Sequence, residues 1–188
     1  MDALLARDPA AHAALDNPAA VARLLYVLRE VGAQEQVGAL AARAAAHAAL
    51  DDPTAVARLL DRLREMGAQE QVGALAARAA AYAALDNPAA VAGLLDVLWR
   101  VGAQEQVGAL AARAAAYAAL DDPAAVARLL EALRKVRGRE QVDTLAARLP
   151  AAGQLHQFIE ISDHRERFRF GREPDGSAAH AWTWDDLE

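Results

Sequence analysis

The chain has 188 residues, a net charge of −6 and no cysteine. That length holds one ordinary domain or one short repeat array. The acidic balance argues against a nucleic-acid or anionic-membrane partner, and the missing thiols exclude disulfides and thiolate chemistry. Hydrophobic residues make up 55% of the chain but aromatics only 5%, so the core must be assembled from small side chains. Alanine, the best helix former, dominates them, and the composition predicts an all-α protein.

Residues 1–17 read as a partial helix of an incomplete first repeat. Met1 to Pro9 has neither the basic n-region of a signal peptide nor a long apolar run, so a cytoplasmic location is expected. Asp8-Pro9 interrupts the pattern, because proline inside a helix costs about 3 kcal/mol; ordered helix is expected from near Pro9. Leu4 and Leu5 then belong to a frayed or partner-docked segment.

From Pro18 a unit of 35 residues recurs. Gly-Ala-Gln-Glu-Gln-Val-Gly-Ala-Leu-Ala-Ala-Arg begins at Gly32, Gly67 and Gly102, and a degraded copy follows at Arg137, with its glycine at Gly138. Pro18, Pro53, Pro88 and Pro123 keep the same period. Asn17, Asp52, Asn87 and Asp122 are N-caps, each followed by proline at the first helical position, where its missing N–H costs nothing. The first helix of each unit stops at glycine, and the second opens with Gln34-Glu35-Gln36, an acid near its positive dipole end. Val21, Leu24, Leu25, Leu28 and Val31 form an apolar stripe, matched by Val37, Leu40, Ala41 and Ala44 on the second helix. Gly38, Gly73 and Gly108 sit inside that helix, where glycine costs about 1 kcal/mol against alanine; close helix–helix approach is the expected return. Helix pairs of this kind bury their apolar faces by stacking, so residues 18–150 are expected to form a solenoid.

A 35-residue helix–turn–helix unit with glycine between the helices and an Asp-Pro turn after them resembles the tetratricopeptide repeat. It is more similar still to the alanine-rich, near-identical helical repeats of uncharacterised proteins from GC-rich bacteria, arrays often attached to signal-transduction NTPases. Arg167 to Glu173 and Trp182 to Leu187 resemble the terminal module of those proteins. The resemblance implies a right-handed α-solenoid of antiparallel helix pairs whose first helices line a concave groove, and a protein-binding or sensing role.

Comparison of the copies shows where they differ. Substitution gathers at Arg23/Arg58/Gly93/Arg128, Tyr26/Asp61/Asp96/Glu131, Val27/Arg62/Val97/Ala132 and Glu30/Glu65/Arg100/Lys135. These positions are i, i+3, i+4 and i+7 of the first helix, one continuous stripe. Arg29/Arg64/Trp99/Arg134 lies beside it. Two readings are open: surface positions drift because substitution there costs little, or each repeat offers a different side chain to a peptide or protein ligand. The candidate contact residues are Arg23, Tyr26, Glu30, Arg58, Asp61, Arg62, Asp96, Trp99, Arg100 and Glu131, with an exposed Trp99 as an anchor.

Other patterns have structural explanations. His12, His47, Tyr82 and Tyr117 share one repeat position and are expected at the seam between repeats, with no third ligand to make a metal site. Asp51-Asp52 and Asp121-Asp122 precede helix-starting prolines and are explained by capping. Glu35, Glu70 and Glu105 with Arg43, Arg78 and Arg113 are expected to form modest surface ion pairs. No phosphate loop, metalloprotease motif or nucleophile elbow appears, so neither an enzyme nor a cofactor is expected. Residues 151–188 are expected to cap the array. Leu155, Phe158 and Ile159 predict a short amphipathic helix, and alternating Phe168/Phe170 and Trp182/Trp184 around Pro174-Asp175-Gly176 predict a β-hairpin. An apolar N-terminal end without a cap leaves end-to-end association of copies as the alternative function.

Overall fold

A computed structural model describes residues 9–161 and, beyond them, residues 170, 173, 177 and 179 alone. Among the described residues every regular element is helical. A short α1 (Pro9–His12) precedes four helix pairs: α2 (Pro18–Glu30) with α3 (Gln34–His47), α4 (Pro53–Glu65) with α5 (Gln69–Tyr82), α6 (Pro88–Arg100) with α7 (Gln104–Tyr117), and α8 (Pro123–Lys135) with α9 (Arg139–Arg148). A 3₁₀ turn at Pro150–Ala152 leads to α10 (Leu155–Ile161). Phe168, Trp182 and Trp184 of the expected hairpin lie outside the described residues, as do Leu4 and Leu5.

The punctuation read from the sequence sets these boundaries. Asp52 accepts hydrogen bonds from the backbone N–H groups of Thr54 (2.9 Å) and Ala55 (3.1 Å), and Asp122 does the same one step into α8; Asn17 and Asn87 each accept one. Each cap satisfies N–H groups that the helix cannot pair itself. At the other end Gly32, Gly67 and Gly102 take φ of +74°, +71° and +78°, turning the chain into the second helix. In the fourth unit Arg137 holds that position with φ of 61°, because the glycine has slipped one residue on.

First helices pack on first helices of the next unit and second helices on second helices, giving two layers with the core between them. Leu25, Leu60 and Leu95 of the first layer and Leu40, Leu75 and Leu110 of the second are fully buried, and alanines such as Ala44, Ala79 and Ala114 fill the space between. Leu24 is only half-buried, whereas its counterparts Leu59, Leu94 and Leu129 are fully buried.

Arginine ties each unit to the one before it. Arg78 donates through Nη1 to the carbonyl of Ala45 (3.1 Å) and through Nη2 to that of Ala48 (2.9 Å). Arg113 repeats this on Ala80 and Ala83, Arg148 on Ala115 and Ala118, and Arg43 on Ala10 and Ala13. The acceptors are orphan carbonyls at the ends of second helices. The N–H that would have closed the next turn is engaged elsewhere: Ala49 donates to Leu15, Ala84 to Leu50 and Ala119 to Leu85. The expected ion pairs with Glu35, Glu70 and Glu105 are therefore replaced by caps reaching back one repeat. Eight residues along a helix is about 12 Å, beyond a salt bridge.

At the C-terminal end the repeat logic is rewritten. Gln154 stands one period after Ala119, and its side-chain Nε2, rather than its backbone N–H, donates to the Leu120 carbonyl. Gln157 Nε2 donates to the Pro123 carbonyl at 2.7 Å. The second bond joins α10 to the first residue of α8 and the first joins the turns that precede the two helices, on the side where the first helix of a fifth unit would sit. Phe158 and Ile161 add apolar contact with the core.

Candidate functional site

The variable stripe of the first helices lines recurring clefts. Ala19, Ala22, Arg23 and Tyr26 of α2 face Arg58, Asp61, Arg62 and Glu65 of α4 across a cleft of about 370 Å³. Two repeats on, the same positions form a second cleft of about 360 Å³: Ala89, Ala92, Gly93 and Asp96 of α6 against Arg128, Glu131, Ala132 and Lys135 of α8. Alanine makes the floor in both, so the helices approach closely and the longer variable side chains form the rim. One architecture thus carries two surfaces, one rich in arginine with a tyrosine, the other opened by a glycine.

The rim charges are cross-matched between repeats. Arg100 Nη1 lies 3.3 Å from Asp61 Oδ1, and Lys135 Nζ lies 2.9 Å from Asp96 Oδ1, the same register one unit later. Where Tyr26 replaces the acid, the Arg62 guanidinium sits 4.9 Å from its ring centroid and also bonds Glu65 at 2.6 Å. Arg64 approaches Asp61 at 3.7 Å. These pairs are largely solvated, so each is worth less than about 1 kcal/mol. Arg23, Arg58 and Arg128 make no ion pair among the described residues. They leave an uncompensated cation on each wall of the first cleft and on the α8 wall of the second, where Gly93 holds the α6 position.

Of the residues singled out from the sequence, Arg23, Tyr26, Arg58, Asp61 and Arg62 meet at the first cleft, and Asp96 and Glu131 at the second. Arg100 joins through Asp61. Glu30 is exposed near the C-terminal end of α2, outside both clefts. Trp99 does not stand free as an anchor: it is half-buried and packed on the hydrophobic core. Val97 and Ala132 are buried as well, so in the third and fourth units that position of the stripe belongs to the packing between repeats, whereas Arg62 lines the first cleft. The alanine floor and Lys135 were not among the expected contacts. Lys135 was accessible to sequence reasoning as the fourth copy of the Glu30 position.

The other exposed face differs in kind. Tyr82 and Tyr117 are 74% and 75% exposed, and His12 and His47 are exposed at the same repeat position. None of these rings fills a seam. A side chain added at Gly38, Gly73 or Gly108 would meet nothing within 4 Å, so these glycines do not permit a close helix contact. Among the described residues no group of three or more His, Asp or Glu gathers into a metal site, and no helix is long and apolar enough to cross a membrane. In comparisons with known proteins, no family model matches this chain, and neither a curated protein nor a solved structure matches it.

Proposed function

We propose that the chain is a protein–protein interaction module, a right-handed α-solenoid of tetratricopeptide-like build that holds a peptide or protein along the clefts between successive first helices. One observation carries this reading. Gln34, Glu35, Gly38, Ala39 and Ala42 are exposed on the second helix, and so are their counterparts in the next two units, yet all three copies are identical. Drift at exposed positions would scatter substitutions over both helices alike. Instead they gather on the first helix, at Arg23/Arg58/Gly93, Tyr26/Asp61/Asp96 and Glu30/Glu65/Arg100. The exposed second-helix face departs from this only at His47/Tyr82/Tyr117 and in the terminal fourth copy, at Arg139, Asp143 and Thr144; a surface that changes at three positions in successive internal repeats while its neighbours hold has the character of a reading surface. Arg23, Arg58 and Arg128, which make no ion pair among the described residues, would draw carboxylates, and Tyr26 supplies a rigid contact for an apolar side chain.

The test is a peptide array probed with the wild-type chain, with groove variants Tyr26→Ala, Arg58→Glu and Arg100→Glu, and with outer-face variants Ala42→Glu and Ala77→Glu. Groove variants are expected to lose the peptides that the wild type selects, and outer-face variants to keep them. Loss on the outer-face variants alone would assign the ligand to the wrong side of this reading.

A further inference from the structure

The two ends of the array are finished differently. α10 occupies the place beside α8, and Glu131 and Arg134 of α8 share a small cleft with Gln157 and Ile161 of α10. At α2, nothing among the described residues takes the corresponding place. Ala20, Leu24 and Val27, at i, i+4 and i+7, form one stripe on its open side. In every later unit this stripe is covered by the preceding first helix: Ala55, Ala90 and Ala125 are buried where Ala20 is exposed, and Leu59, Leu94 and Leu129 are buried where Leu24 is half-covered. Val27 is 47% exposed, whereas Val97, the same residue one preceding helix richer, is 5% exposed.

Register then specifies what fits there. The residue in the place of Glu30 pairs with one on the preceding helix: Arg100 with Asp61, and Lys135 with Asp96. In α4 the acid at that place, Glu65, stands across from Tyr26 and is paired by Arg62 three residues back in its own helix. α2 carries Val27 where α4 has Arg62, and its exposed Glu30 makes no ion pair among the described residues, so the complementary helix is the one to bring a base. Immediately before its acid the preceding helix carries a buried leucine, and three residues earlier a buried alanine: Ala57 and Leu60 before Asp61, Ala92 and Leu95 before Asp96. We infer that the N-terminal face of α2 docks an amphipathic helix of a partner protein carrying Ala-x-x-Leu followed directly by lysine or arginine. A second copy of this chain is the wrong occupant. Its first helices offer Tyr26, Asp61, Asp96 or Glu131 at the position that meets Glu30, and none is basic.

This surface is separate from the groove, so the two can fail independently. The probe is a fluorescein-labelled peptide copying residues 53–66, held helical by a hydrocarbon staple, in its native form and with Asp61→Lys, titrated by fluorescence polarisation. The Asp61→Lys peptide is expected to saturate, binding about two- to five-fold more tightly than the native peptide at low salt. Glu30→Lys in the protein should reverse that order. Val27→Asp should weaken both peptides about tenfold, consistent with loss of one buried valine. Arg58→Glu, in the groove, should leave both unchanged. Absence of saturable binding, or binding indifferent to Val27→Asp, would overturn the inference. So would concentration-dependent self-association abolished by Val27→Asp, which would assign the face to a second copy.

Discussion

Replacing Arg78 by methionine keeps the aliphatic stem and removes the two bonds to the Ala45 and Ala48 carbonyls. A hydrogen bond with one charged partner is worth about 1.5–3 kcal/mol net, and releasing an ordered arginine returns up to about 2 kcal/mol of entropy. Two bonds less that entropy, in a half-exposed setting, leave a cost of about 2 kcal/mol. For a chain of this size that lowers the melting temperature by about 4–8 °C. Circular dichroism melts of Arg78→Met and of Glu70→Gln, each against wild type, read it directly. Glu70→Gln should change stability by less than about 0.5 kcal/mol, because Glu70 is not the partner of Arg78. Equal losses from both variants, or a loss below about 0.5 kcal/mol for Arg78→Met, would refute the capping role and restore a surface ion pair.

Three further outcomes follow from the same geometry. Gly38→Ala, Gly73→Ala and Gly108→Ala each enter open space on a helix and should stabilise by about 0.5–1 kcal/mol apiece, read as a rise in the urea midpoint. Arg137→Gly relieves a left-handed residue at φ of 61° and should add about 1 kcal/mol in the same assay. Arg100→Glu sets like charges against Asp61 and should cost up to about 1 kcal/mol, recovered when Asp61→Arg is added; a double variant no better than the single would remove the pairing.

Local chemistry was legible in the sequence and long reach was not. The caps at Asn17 and Asp52, the prolines that follow them and the glycine stops act on residues two to four positions away, so their residue types are sufficient signals. The variable stripe was legible because the copies sit side by side in one chain. Arg43 and its counterparts bond carbonyls some thirty residues upstream, and an acceptor that every residue possesses leaves no mark in the sequence. Exposure at the rings failed for a related reason. Tyr82 and Trp99 are each the one aromatic of their helix, and only the packing of neighbouring units decides that Trp99 turns inward while Tyr82 stays in water. Gly38 misled because glycine in a helix has two opposite causes, a close contact or a site with no contact at all.

The chain's three tyrosines offer the most direct test of the groove. Tyr26 lines the first cleft, 45% exposed, while Tyr82 and Tyr117 are more exposed and belong to the second helices. Hydroxyl-radical footprinting with mass spectrometry, run with and without an array-selected peptide, reads all three rings in one sample. A ligand held between first helices must slow oxidation of Tyr26 and leave Tyr82 and Tyr117 unchanged; protection of Tyr82 or Tyr117 with Tyr26 still reactive contradicts it.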